Sequence, residues 1–105
     1  MAWVVLILAG LFEIVWAYAM KLSEGFTRLT PSIITLVFMV LSFALLAYAM
    51  RTLPLGTAYT IWTGIGAVGS FLVGVFILGE PASAMLMLAA VLIISGLVLM
   101  KLSSS

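Results

Sequence analysis

The sequence predicts an all-α integral membrane protein with four transmembrane helices per chain, and three observations carry that prediction. The 105 residues are 67% hydrophobic and only 7% charged, with a mean hydropathy of +1.46, which leaves too little polar surface to coat a water-soluble globule. The apolar residues fall into four continuous blocks, each near the roughly 20 residues that a bilayer-spanning helix needs. Charged and turn-forming residues gather between the blocks at almost even intervals. A chain of this length has no room for an extramembrane domain, so residues 1–105 are expected to form a single membrane domain.

The first block runs from Ala2 to Met20 and stops at Lys21; Lys21 to Arg28 is the longest polar connection. The second runs from Pro31 to Met50, and Pro31 suits a first helical turn, where its missing N–H would have no partner. Arg51-Thr52-Leu53-Pro54 makes a short turn, since proline cannot continue the preceding helix. The third block covers Leu55 to Leu78 and closes at Gly79-Glu80-Pro81, and the fourth runs from Ala82 to Met100 before Lys101 and a serine tail. A cleaved signal peptide is a poor reading of the first block, which lacks a basic leader and carries Glu13 in its apolar centre. Barrel strands would be half as long and would alternate.

Composition also excludes whole classes of chemistry. Cys, His, Asp, Asn and Gln are absent, which removes thiolate and imidazole metal sites, disulfides and catalytic triads. No metal, no cofactor and no enzyme activity are expected, and a net charge of +1 offers no surface for nucleic acid.

Six of the seven charged side chains fall in connections or at block ends, and Glu13 does not. It sits roughly 3 Å from the middle of its block at a 1.5 Å rise per residue. A protonated glutamate could act as a packing donor, but Ser or Thr does that at lower cost. An ionisable group at this depth marks a substrate, ion or proton site. Trp16 stands at i+3 on the same face, with Ala9 and Gly10 in the turn before. Ser42 near the centre of the second block, and Tyr59, Trp62 and Thr63 on one face of the third, supply hydroxyl and indole donors at comparable depth. Each has a plainer reading: Ser42 bonding back to its own helix, Tyr59 anchoring at the interface, Trp62 packing.

Gly64-Ile65-Gly66-Ala67-Val68-Gly69 matches the dinucleotide-binding pattern, but within a membrane span it lacks the strand and the acidic partner that pattern requires. Packing and bending fit better: Gly66, Ser70 and Gly74 repeat every four residues as a small-residue stripe, and Gly64 with Gly66 suits a bend. In the fourth block Ala89, Ile93 and Gly96 share a face and predict an assembly helix.

With four spans, Arg51 and Lys101 lie on one side of the membrane and Lys21 and Arg28 on the other. Orientation follows an excess of Lys and Arg toward the cytoplasm, and there is none. Either another signal fixes the orientation or the chain inserts both ways round. The second case predicts an antiparallel, dual-topology homodimer, which generates from two copies the inverted repeat that larger transporters carry in one chain.

Over its whole length the chain resembles the small multidrug resistance transporters. The resemblance rests on Glu13-Ile14-Val15-Trp16, on Glu24 to Ser32, and above all on Leu53-Pro54-Leu55-Gly56-Thr57-Ala58-Tyr59-Thr60-Ile61-Trp62-Thr63-Gly64-Ile65-Gly66-Ala67. Trp16 one turn beyond the acid, and Thr-Gly-Ile-Gly-Ala after Trp62, are similar to the guanidinium exporter subtype; the drug-exporting subtype typically has glycine at the Trp16 position. Met20 to Phe26 is closer to the drug exporters, and Thr60 and Ser70 stand where guanidinium exporters more often have alanine. The resemblance implies a multi-pass protein of the bacterial inner membrane, an antiparallel homodimer exchanging guanidinium or a related small cation for protons at paired Glu13 residues, with Trp16, Ser42, Tyr59 and Trp62 orienting the acid. The competing readings are export of bulky quaternary ammonium or polyaromatic cations, a channel, and a non-transporting membrane scaffold assembled through its glycine faces.

Overall fold

In hydrocarbon every backbone polar group must bond within its own segment, and each apolar block accordingly forms one unbroken helix. A computed structural model describes Met1–Ser104 and contains α1 (Ala2–Leu22), α2 (Leu29–Ala49), α3 (Leu55–Phe76) and α4 (Ala84–Ser104). All four are long and apolar enough to cross a membrane. At 21 or 22 residues they are about 31–33 Å long, matching a hydrocarbon core of about 30 Å.

The helix ends differ by a few residues from the blocks, and capping explains why. α1 continues through Lys21 and Leu22 to Ser23, whose buried hydroxyl donates to the Met20 carbonyl at 2.6 Å and accepts from the Phe26 amide at 3.0 Å. Glu24, Gly25 and Phe26 then take φ of 51°, 75° and 68°, a left-handed turn that costs about 1–2 kcal/mol at each non-glycine residue. The bonds of Ser23 and the donation of the Thr27 hydroxyl to the Glu24 carbonyl at 3.0 Å offset part of that cost. α2 starts at Leu29, with Pro31 its third residue, because the Arg28 carbonyl already accepts the Ser32 amide at 3.1 Å. α3 ends at Phe76 rather than Leu78: Gly79, at φ +73°, turns the chain so that the Glu80 amide donates to the Gly74 carbonyl at 2.8 Å. α4 waits until Ala84 because Ser83 caps it, accepting the Leu86 amide at 3.1 Å.

α1 is the central helix and packs on both α2 and α3, while the α4 backbone approaches α3 alone. The buried core is Leu6 and Ala9 of α1, Leu46 and Ala49 of α2, and Ala58, Ile61 and Trp62 of α3. Alanine and glycine at these contacts let the helix axes come close, which is how membrane helices associate without a hydrophobic driving force between them. The end of α4 returns to α1 through Lys101, whose ammonium lies 4.6 Å from the centre of the Trp3 ring. The Cα extents are 42 × 34 × 16 Å, so the molecule is a slab one to two helices thick. Its radius of gyration, 14.5 Å, exceeds the roughly 13 Å of a globular domain of this length. Among the described residues none of α4 is buried.

Candidate functional site: a carboxylate seated on a glycine

α1 and α3 run in the same direction, and side chains of one fill glycine notches of the other. A Cβ built on Gly10 would lie 2.7 Å from Ile65 Cγ2, and one on Gly69 would overlap the end of Ile14. Between them Glu13 reaches across to α3. Its carboxyl lies against the bare Cα of Gly66, where a Cβ would overlap the carboxylate and stand 2.8 Å from Cγ. Glycine at this position is therefore what leaves room for the carboxyl to lie where it does. Farther along the seam, Ala17, Tyr18 and Lys21 of α1 face Ser70, Val73 and Gly74 of α3. The small-residue stripe Gly66, Ser70, Gly74 thus faces α1 of its own chain. Gly64 points elsewhere, its notch filled by Leu97 of α4, 2.5 Å from a built Cβ. α3 stays helical throughout.

Glu13 Oε1 is buried without a hydrogen-bond partner, and so is the indole Nε1 of Trp16, three residues on along the same helix face. An unmade bond to a buried polar atom costs about 1–3 kcal/mol, more for a charged group. An orphaned acceptor beside an orphaned donor is the arrangement expected of a site whose partner is a ligand or a proton.

Two of the other expected donors, Ser42 and Trp62, are already committed within this protomer. Ser42, fully buried, donates to the Ala9 carbonyl of α1 at 2.7 Å and accepts from Trp62 Nε1 at 2.9 Å. That chain of bonds ties α1, α2 and α3 together one turn before Glu13. The plainer expectation for Ser42, bonding to its own helix, gives way to an interhelical bridge. Tyr59 is half-exposed with its ring 5.6 Å from Trp62, and Thr63 is exposed. Phe43, which sequence reasoning passed over, links the aromatic groups: its ring is 6.3 Å from Trp16 and 5.6 Å from Trp62, and it is half-exposed. Nothing in a single sequence marks it, since a phenylalanine in an apolar helix reads equally as lipid-facing. Trp16, Phe43, Trp62 and Tyr59 together form an aromatic run from α1 to α3.

Thr63 and Gly64 border a different space, a groove of about 470 Å³ between α3 and α4 that also takes in Tyr59, Ile93 and Gly96. Ala89, Ile93 and Gly96 are all exposed on α4.

Four membrane-crossing helices around one intramembrane acid define a small multi-pass membrane protein of the kind that moves ions or small solutes. Residues 1–94 match the family model described as Small Multidrug Resistance protein, and the chain belongs to that family. It is 56% identical over 104 residues to proteins named guanidinium exporter from Citrobacter freundii and Salmonella typhimurium, with 99% of each chain covered. A guanidinium exporter from Yersinia pseudotuberculosis serotype I is 57% identical over 104 residues, covering 99% of this chain and all of that one.

Proposed function

We propose that this protein is a proton-coupled antiporter that exports guanidinium and small guanidinyl cations across the bacterial inner membrane, working as an antiparallel homodimer. The observation that carries the reading is the buried, unpartnered Oε1 of Glu13 with the unpartnered Trp16 indole N–H one turn on along the same helix face. Guanidinium is planar and presents N–H donors in a fork that matches a carboxylate, so it satisfies an orphaned acceptor better than a spherical ion does. Protons and the cation compete for the same acid. Export follows if the dimer changes its facing only when the acid is occupied, and the proton gradient then sets the direction. The names of the relatives support the cargo.

The slab shape and α4 support pairing, because no described residue of α4 is buried within one protomer. In an antiparallel pair two Glu13 side chains approach the same depth from opposite directions, and α4 with Ala89, Ile93 and Gly96 supplies assembly surface. Cofactors and metals have no part in this scheme.

Proteoliposome uptake under a fixed proton gradient tests the cargo. Guanidinium should be transported, and tetraphenylphosphonium, which has no N–H to donate, should compete poorly. Strong transport of the bulky ion without guanidinium transport would favour a multidrug exporter that relies on the aromatic faces of Phe43 and Tyr59. Movement of neither would favour a scaffold.

A further inference from the structure

The α1–α3 seam that carries Glu13 ends, eight residues further along each helix, in a second charged group. A cavity of about 170 Å³ there is lined by Tyr18 and Lys21 of α1, by Ser70 and Gly74 of α3, and by Leu78 and Glu80 of the α3–α4 connection. The connection is folded back onto α3. Gly79 takes φ +73°, the Glu80 amide donates to the Gly74 carbonyl at 2.8 Å, and the Glu80 carboxylate lies against the bare Cα of Gly74, so that a Cβ there would overlap it. The seam therefore has two carboxylates seated on α3 glycines, Glu13 on Gly66 within it and Glu80 on Gly74 at its outer end, about 12 Å apart along the helix. At the outer end the opposing wall carries a cation, Lys21.

We propose that the α3–α4 connection is a strap that closes the outer end of the seam by drawing Glu80 toward Lys21, and that it must open and close in each transport cycle. Three features fit a moving part. The turn is hinged on a left-handed glycine, backbone bonds from the Leu78 and Glu80 amides to the Val73 and Gly74 carbonyls fold it onto α3, and a small cavity separates the two opposite charges that closure would bring together. Exposed ion pairs are weak, which suits a contact made and broken repeatedly. The strap rests on the transport reading above. In an antiparallel dimer the two straps lie at opposite membrane faces, so closure of one with release of the other matches alternation of access.

The chain has no cysteine, so thiols can be placed at will. In Lys21→Cys/Glu80→Cys protein reconstituted in liposomes, a reducible bis-methanethiosulfonate should bridge the two positions within one chain. Guanidinium transport should then fall at least tenfold and recover on reduction. The reduced double variant is the reference, so any effect of losing Lys21 on orientation cancels. Failure of the bridge to form, or a bridged protein that transports normally, would overturn the proposal. If the reduced double variant is itself inactive, Glu80→Gln serves, because it leaves the Lys and Arg balance unchanged. It should alter the turnover rate about two- to fivefold while guanidinium affinity stays constant; altered affinity with unchanged turnover would contradict a strap. Wild-type protein that moves no guanidinium while the bridge still forms would sink the transport reading and leave the closure standing.

Discussion

Replacing Gly66 by alanine adds a single methyl group at the point where α3 touches the acid. That methyl would overlap the Glu13 carboxylate and stand 2.8 Å from its Cγ. Ordinary contact needs 3.5–4.0 Å, so Cγ must move by roughly 1 Å and the carboxyl end farther. The clash is with the far end of a flexible side chain, and the helix yields nothing: alanine in a helix interior is favoured over glycine by about 1 kcal/mol. The variant should therefore fold at least as well as wild type while holding its acid in the wrong place. A misplacement of that size costs on the order of 100-fold in rate, equivalent to about 2.7 kcal/mol of transition-state stabilisation. Radiolabelled guanidinium uptake into proteoliposomes measures the loss, and size-exclusion elution in detergent checks the fold. Gly56→Ala is the control, since a Cβ there meets nothing within 4 Å. Wild-type uptake by Gly66→Ala would refute the claim that this contact positions Glu13.

Ser42→Ala should strand the Trp62 indole N–H in the core and loosen the tie to Ala9, lowering stability by roughly 1 kcal/mol, read as an earlier midpoint in denaturant titration of the detergent-solubilised protein. An unchanged midpoint would mean that the bridge does no structural work. Trp16→Gly removes the ring that lies 6.3 Å from Phe43 and should lower guanidinium transport while admitting larger cations; competition by tetraphenylphosphonium measures the exchange, and unchanged selectivity would contradict it. Because Lys and Arg divide evenly between the two sides, adding one lysine to the serine tail should tilt the orientation and depress activity. Co-expression with an oppositely biased Arg51→Ala copy, which leaves the excess of Lys and Arg on the Lys21 and Arg28 side, should restore it. Wild-type chain labelled from one membrane face only would contradict mixed insertion.

The four helices were legible because a bilayer demands apolar runs of one length, and Glu13 because a charge within such a run has no cheap explanation. The ends were less so: Ser83 and Gly79 set the limits of α4 and α3 through single hydrogen bonds and one left-handed residue, signals that an apolar count overrides. The glycine pattern of α3 lies wholly within a membrane-crossing helix, and its division of labour is hidden in the sequence. Gly64 receives Leu97 from α4, whereas Gly66 and Gly69 receive Glu13 and Ile14 from α1, and only the helix positions reveal this. Ser42 and Trp62 were singled out as polar groups at the right depth. That they bond to each other depends on three helices meeting at Ala9, which no local pattern encodes. Phe43 carries no polar atom and so gave no signal, although its ring joins Trp16 to Trp62.

The central claim is that a cation and protons take turns at Glu13, and proton movement in liposomes tests it directly. With a pH-sensitive dye trapped inside and no imposed gradient, adding guanidinium outside should drive protons outward through wild-type protein, with the internal pH rising as the cation enters. Glu13→Gln, which keeps the shape and loses the exchangeable proton, should give no pH change. A pH change of wild-type size in Glu13→Gln, or guanidinium entry through wild type with the internal pH constant, would contradict the account.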